Sequence, residues 1–231
     1  MGIFKNWSRF EIIWLLTFTM VNIYLFFAWE DSLIGLISSI TGMLCVVLVA
    51  KGKISNYYFG IIQTGSYAYI AYGYGLYGEV MLNALFYFPV QFIGIYLWKK
   101  NKTDHGVKGE DVIVKSLKKK GWLYTILLML ILIVGYGFFL KFLGGKVVWT
   151  DSATNVLSIA AQILMLKRYT EQWLLWISVN ILSIFLWVTA LVTQGGNDFS
   201  MLVMWSAFLV NSIYGYINWR KLSIKQVQEA A

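Results

Sequence analysis

Eight apolar runs, near residues 11–29, 32–50, 55–73, 79–98, 122–143, 152–166, 172–193 and 199–219, take up most of the 231 residues. Most of them reach the about 20 residues that an α-helix needs to cross the hydrocarbon core of a bilayer. Little is left between them for a soluble catalytic domain. Only 13% of the residues are charged, well below the about 25% of a soluble globular chain. A β-barrel would need alternating strands of about ten residues, which this sequence does not show. The chain therefore reads as an all-α integral membrane protein.

Charge placement sets the expected topology. If the N-terminus is cytoplasmic, 17 of the 19 basic residues fall inside: Lys5, Arg9, Lys51, Lys53, the eight lysines from Lys99 to Lys120, Lys167, Arg168, Arg220, Lys221 and Lys225. Lys141 and Lys146 stay outside, and Glu30, Asp31, Glu79, Asp151 and Asp198 mark outer ends. This is the positive-inside pattern for eight spans with both termini cytoplasmic. The net charge of +8 is then a topological signal, and no basic stripe with interleaved aromatics points to nucleic acid. The run 10–28 is too long for a signal-peptide core and lacks a small-residue cleavage site after it, so it reads as a retained helix.

Several local expectations follow. Asp151 or Ser152 should cap an outer turn over residues 151–155. Trp98 and Trp219, each beside a basic residue, read as interfacial belt aromatics. Cys45, the single cysteine, excludes an intrachain disulfide and reads as small buried filler. The segment 99–121 reads as a solvated linker, and its lone His105, with no ligand partners at suitable spacing, indicates no metal site.

Two halves of the chain resemble each other. Asp31, Ser32 and Ser38 recur 120 residues later as Asp151, Ser152 and Ser158, and Gly94 and Trp98 recur 121 residues later as Gly215 and Trp219. The expected organisation is an N-terminal helix at 1–30, a three-helix repeat at 31–98 and a cytoplasmic loop at 99–121. A linker helix with an outer loop follows at 122–150, then a second three-helix repeat at 151–221 and a cytoplasmic tail at 222–231. Both repeats begin outside and end inside, so they are parallel and need the linker helix between them. Parallel repeats are a transporter architecture with the substrate near the midplane.

Polar residues within the spans lie in rows. Trp173, Trp176, Asn180, Ser183 and Trp187 share one helical face, with Leu174, Ile177, Ile181 and Ile184 on the others. Asn83, Tyr87, Gln91 and Trp98 form a second row, with Pro89 inside it as a source of a kink. Asn56, Gln63 and Tyr67 form a third, Asn155, Ser158 and Gln162 a fourth, and the last span adds Trp205, Asn211 and Ser212. Interhelical amide bonds in membranes average only about 0.6 kcal/mol, so packing alone is a weak reason for so many. A polar, aromatic-walled substrate path accounts for them better.

The missing groups narrow the chemistry. No acidic residue lies mid-span, which disfavours proton or cation coupling. No nucleotide-binding glycine loop, catalytic dyad, paired carboxylates or metal cluster is present, which disfavours an enzyme and implies no cofactor. Passive transport of a small molecule is the expected activity. A membrane ligand sensor or scaffold without translocation is the alternative from another class.

The segments KGKISNYYFGII (51–62), GLYGEVMLN (75–83), DSATNVLSIAAQ (151–162), KRYTEQWLLWISVN (167–180) and GYINWRK (215–221) resemble the PnuC family of bacterial vitamin transporters, over about 31–221. Residues 1–30 and the linker do not carry the resemblance. It implies a 3+1+3, SWEET-like plan in the bacterial inner membrane. It also implies uptake of nicotinamide riboside by facilitated diffusion, with trapping by a cytoplasmic riboside kinase that serves NAD biosynthesis. The family's W-x-x-x-N element falls on Trp176 and Asn180. Gln91, Asn83, Asn211, Gln63, Tyr87 and Trp205 complete the candidate binding residues. An indole face can stabilise the pyridinium cation by about 0.5–2 kcal/mol. Thiamine is also a flat cation and stays open as the alternative substrate, with neutral riboflavin less favoured. The oligomeric state, a homo-oligomer included, stays open.

Overall fold

The computed structural model describes residues 7–28, 33–73, 80–103, 111–142, 148–194 and 199–229. The helices are α1 (Arg9–Ala28), α2 (Leu33–Ala50), α3 (Asn56–Gly73), α4 (Phe88–Lys100), α5 (Lys119–Phe142), α6 (Val148–Leu166), α7 (Gln172–Gln194) and α8 (Phe199–Glu229), and a π-helical stretch Leu82–Tyr87 leads straight into α4. No strand occurs among the described residues. Each expected apolar run corresponds to a helix within a few residues at most ends, because apolar run length and its polar flanks are local properties. Asp31, Ser32, His105 and the acidic residues Glu30, Glu79 and Asp198 lie outside the described residues.

Among the described residues, three helices, α1, α2 and α5, are each long and apolar enough to cross a membrane by length and composition. On α5 only Met129 and Gly137 are buried, while Leu123, Leu127, Ile131 and Phe138 are exposed. Such an apolar surface fits lipid rather than water. Of α7, the part Gln172–Phe185 is a shorter apolar stretch.

The chain forms two compact units, Met1–Ile113 and Val114–Ala231. Within the first, α1 packs on α2, α2 on α3, and α3 on both α4 and the π stretch. Within the second, α5 packs on α6, α6 on α7 and α7 on α8.

The two units repeat one turn closely. In the first, Gly52 N–H donates to Val49 O and Lys53 N–H to Leu48 O, both at 2.9 Å; in the second, Arg168 N–H donates to Met165 O and Tyr169 N–H to Leu164 O at the same distance. Both turns reverse through a positive φ, 66° at Gly52 and 63° at Arg168. Glycine adopts this left-handed conformation freely, whereas an arginine there costs about 1–3 kcal/mol. After the turn, Tyr57 meets Trp98 edge-on in the first unit, as Trp173 meets Trp219 in the second, with ring centroids 5.1 and 6.0 Å apart. Trp98 and Trp219 are fully buried, which corrects their expected place in the interfacial belt.

The linker is also corrected. Its residues after 110 are docked, with Val112 and Val114 buried and Ile113 between them half exposed. Asp111 N–H donates to Gly52 O at 3.0 Å, and its carboxylate accepts from Ile54 N–H and Lys53 Nζ, both at 3.0 Å. In the second unit Lys115 N–H donates to Arg168 O, Thr170 N–H returns a bond to Lys115 O, and Val114 N–H donates to Gln226 Oε1, all at 2.8 Å. The same extended segment thus satisfies the free turn carbonyl in each unit. Asp111→Ala removes a charge-assisted acceptor from Ile54 N–H while the Lys53 pair, being part-exposed, contributes little. Its expected cost is about 1–2 kcal/mol, read as a lower melting temperature of the purified protein, with Asp111→Asn intermediate.

One smaller expectation changes. α6 starts at Val148, so Asp151 and Ser152 lie inside its first turns rather than at a cap, and Ser152 Oγ donates to Ile133 O of α5 at 2.6 Å. Lys51, one of the basic residues counted on the cytoplasmic side, is buried and paired with Glu11 at 2.7 Å. Glu11 also accepts from Ser8 N–H at 2.6 Å and Ser8 Oγ from Glu11 N–H at 3.2 Å, a reciprocal cap that starts α1. Lys51 Nζ lies 4.9 Å from the Trp7 ring centre. One buried charge is thereby compensated on two sides.

Candidate functional site

In the second unit the Trp176 and Asn180 pair sits one helical turn apart on α7. Trp176 is half-buried and packs against the cluster of Met129, Val156, Ala161, Leu164 and Leu175, which holds one side of its indole in place. Asn180 is buried, and its Nδ2 donates to Ser212 Oγ on α8 at 2.9 Å. Asn211, beside Ser212, is buried as well. Trp173 closes one end of this row: it is buried on Gly215, where a Cβ would stand 2.6 Å from its ring. Ser183 is buried further along; the Trp187 side chain lies outside the described residues. Trp205 is half-buried and meets Phe208 edge-on at 5.9 Å.

In the first unit Pro89 accounts for the local geometry. A proline supplies no N–H to the carbonyl four residues back, and the chain widens just before it: Phe88 N–H bonds Asn83 O in the π-helical stretch. The corresponding part of α8 runs on as ordinary α-helix. The widening leaves Asn83 buried and Tyr87 half-buried. Gln91, also buried, donates from Nε2 to Tyr87 O at 3.0 Å. Gln63 on α3 is half-buried. Structure therefore joins Asn180 to Ser212, beside Asn211, and Gln91 to Tyr87, in the turn after Asn83.

No group of acidic, histidine or cysteine side chains that could hold a metal occurs among the described residues. In the sequence the charged residues flank the apolar runs. What each unit offers is aromatic surface, amides and hydroxyls. That combination suits a flat, polar, uncharged or singly cationic molecule.

The sequence profile of the family described as nicotinamide mononucleotide transporter matches residues 32–221. The chain belongs to this family. The span agrees with the stretch over which the sequence segments resemble PnuC proteins. Among relatives, the nicotinamide riboside transporter PnuC of Neisseria mucosa is 44% identical over 221 residues, covering 95% of this chain and 84% of that protein. The protein of the same description from Haemophilus influenzae is 44% identical over 218 residues, covering 94% and 92%. The one from Escherichia coli is 31% identical over 178 residues, covering 68% and 74%. A crystal structure of the vitamin B3 transporter PnuC superposes with a TM-score of 0.84 at 43% identity, covering 95% of this chain and 94% of that one.

This member of the family holds further buried amides that sequence reading did not select. Gln162 on α6 is buried with Nε2 unbonded, and Gln172 at the start of α7 is fully buried with neither amide atom bonded. Gln162 was visible as the end of the Asn155 and Ser158 row. Gln172 lies off every row and gave no signal.

Proposed function

We propose that this chain carries nicotinamide riboside across the bacterial cytoplasmic membrane by facilitated diffusion. The observation that carries the reading is the Trp176 and Asn180 pair, in a chain 44% identical to proteins described as nicotinamide riboside transporters. In the second unit Trp176 offers an indole face suited to the pyridinium cation, and the Asn180 and Asn211 amides suit the carboxamide and ribose hydroxyls; in the first unit the amides of Gln91, Asn83 and Gln63 are partners of the same kind. Tyr87 adds aromatic surface in the first unit and Trp205 in the second.

The family description names the mononucleotide, and physical chemistry favours the riboside. A phosphate monoester carries about −1.5 to −2 charges at neutral pH and calls for arginine or lysine partners. The middles of the spans hold none. The same absence supports trapping: once a cytoplasmic kinase adds the phosphate, the product finds no counter-charge along the path and cannot return. The placement of 17 of 19 basic residues supports eight spans with both termini cytoplasmic. The duplicated turn supports two parallel three-helix repeats joined through α5, the SWEET-like plan.

Uptake of labelled nicotinamide riboside into liposomes holding the purified protein, without gradient or energy source, tests the reading. Saturable entry that stops at equal concentrations and ignores excess thiamine is expected. Entry blocked by thiamine would move the substrate to that vitamin, and binding without entry would point to a sensor.

A further inference from the structure

The second unit gathers basic side chains around the segment that leads into α5. Lys115 is bonded through its backbone to Arg168 and Thr170 in the turn after α6, beside Lys167. Ser116 Oγ lies 3.5 Å from Ser223 Oγ, which stands between Lys221 and Lys225 on α8. Lys118 follows at once, and Lys119 and Lys120 open α5. With Arg220 these make eight cations, all exposed, and among the described residues no carboxylate pairs with any of them.

The proposed topology accounts for basic residues on the cytoplasmic side, but the first unit shows that they need not be unpaired. There the two lysines of the matching turn are compensated, Lys51 by Glu11 at 2.7 Å and Lys53 by Asp111 at 3.0 Å. Lys99 and Lys100 stand in the last turn of α4, where the helix dipole favours positive charge. Lys118, Lys119 and Lys120 have the opposite setting. They stand at the positive pole of α5, so the dipole adds to their mutual repulsion. Nothing among the described residues offsets them.

The surface that continues from these lysines identifies the kind of anion. Lys119, Leu123, Leu127 and Ile131 follow one another at four-residue spacing along α5, on one side of the helix, and all four are exposed. Within its unit α5 packs on α6 alone, which leaves this stripe uncovered. From Lys119 to Ile131 the helix rises about 18 Å, the distance from the headgroups to near the middle of a hydrocarbon core about 30 Å thick. A soluble acidic protein would meet the lysines and leave the apolar stripe bare, whereas a phospholipid covers both. We propose that α5 holds an anionic phospholipid, its headgroup among Lys118, Lys119 and Lys120 and an acyl chain along Leu123, Leu127 and Ile131. The five other cations of the cluster strengthen the same attraction.

Native mass spectrometry of the purified full chain, released from micelles titrated with phosphatidylglycerol or phosphatidylcholine, counts the lipid it keeps and needs no transport. Retention of phosphatidylglycerol in preference to phosphatidylcholine is expected. Replacing Lys118, Lys119 and Lys120 together by glutamine should weaken the affinity for phosphatidylglycerol about 100-fold, at about fivefold per lysine. Replacing Lys99, Lys100 and Lys102 together by glutamine removes the same charge from the end of α4, and should weaken it less than about fivefold in all. Melting profiles check folding, with Lys119→Gln alone as the second variant should the first triple fail to fold. Equal losses in the two folded triples would show that overall charge, and not this helix, attracts the lipid. That result, equal retention of the two lipids by the wild type, or displacement of phosphatidylglycerol by inorganic phosphate at about the same concentration would each overturn the proposal.

Discussion

Gly94→Ala is expected to destabilise the protein by about 3 kcal/mol, the upper end of what one added methyl costs in a packed interior. The new Cβ would collide with the Tyr57 ring, which is fully buried and pressed against the equally buried Trp98. A flexible side chain could swing aside, but two enclosed rings at 86° have nowhere to go. Gly215→Ala meets the Trp173 ring at 2.6 Å and should cost nearly as much. Two controls separate this clash from a general effect of glycine replacement. At Gly65 the nearest atom to a Cβ is 3.6 Å away, and at Gly135 nothing lies within 4 Å. Alanine is expected to be neutral there, or stabilising by up to about 1 kcal/mol through helix propensity. Melting of the four purified variants decides the matter. If all four melt together, the close approach of ring and backbone is not what holds these helix ends.

That pair of clashes also shows where sequence reading stopped. The Gly-x-x-x-Trp spacing was plain at both 94–98 and 215–219 and served to align the halves. Its packing meaning was not legible, because burial of a tryptophan depends on a residue from another helix, Tyr57 or Trp173, coming into contact. Adjacency to Lys99 and Arg220 suggested an interfacial position, and a close approach of backbone to ring overrode it.

The docked linker was hidden for a different reason. Val112 and Val114 turn inward with Ile113 outward, a period-two signal in the sequence itself. It spans three residues amid lysines, too short to outweigh the surrounding charge. Helix positions, by contrast, rest on runs of about 20 residues, and those were readable throughout. Of the candidate site, the α7 face was legible from spacing alone. The bond from Asn180 to Ser212 was not, since it depends on α8 coming into contact with α7.

Trp176→Ala is expected to raise the half-saturating concentration for nicotinamide riboside by about 2- to 30-fold, the range of a cation held on an indole face, with partial desolvation favouring the upper part. Packing alone could produce a loss too, because Trp176 leans on Met129, Leu164 and Leu175. Trp176→Phe separates the two causes. It keeps an apolar ring against that cluster but presents a weaker π face to a cation. The reduced form of the riboside, whose dihydropyridine ring is neutral, supplies the second comparison. If the indole acts on charge, Trp176→Phe should weaken transport of the cation several-fold while leaving the neutral form nearly unaffected. Equal losses for both would mean that the ring only shapes the path, and the preference for a cationic vitamin would then have to originate elsewhere among the amides.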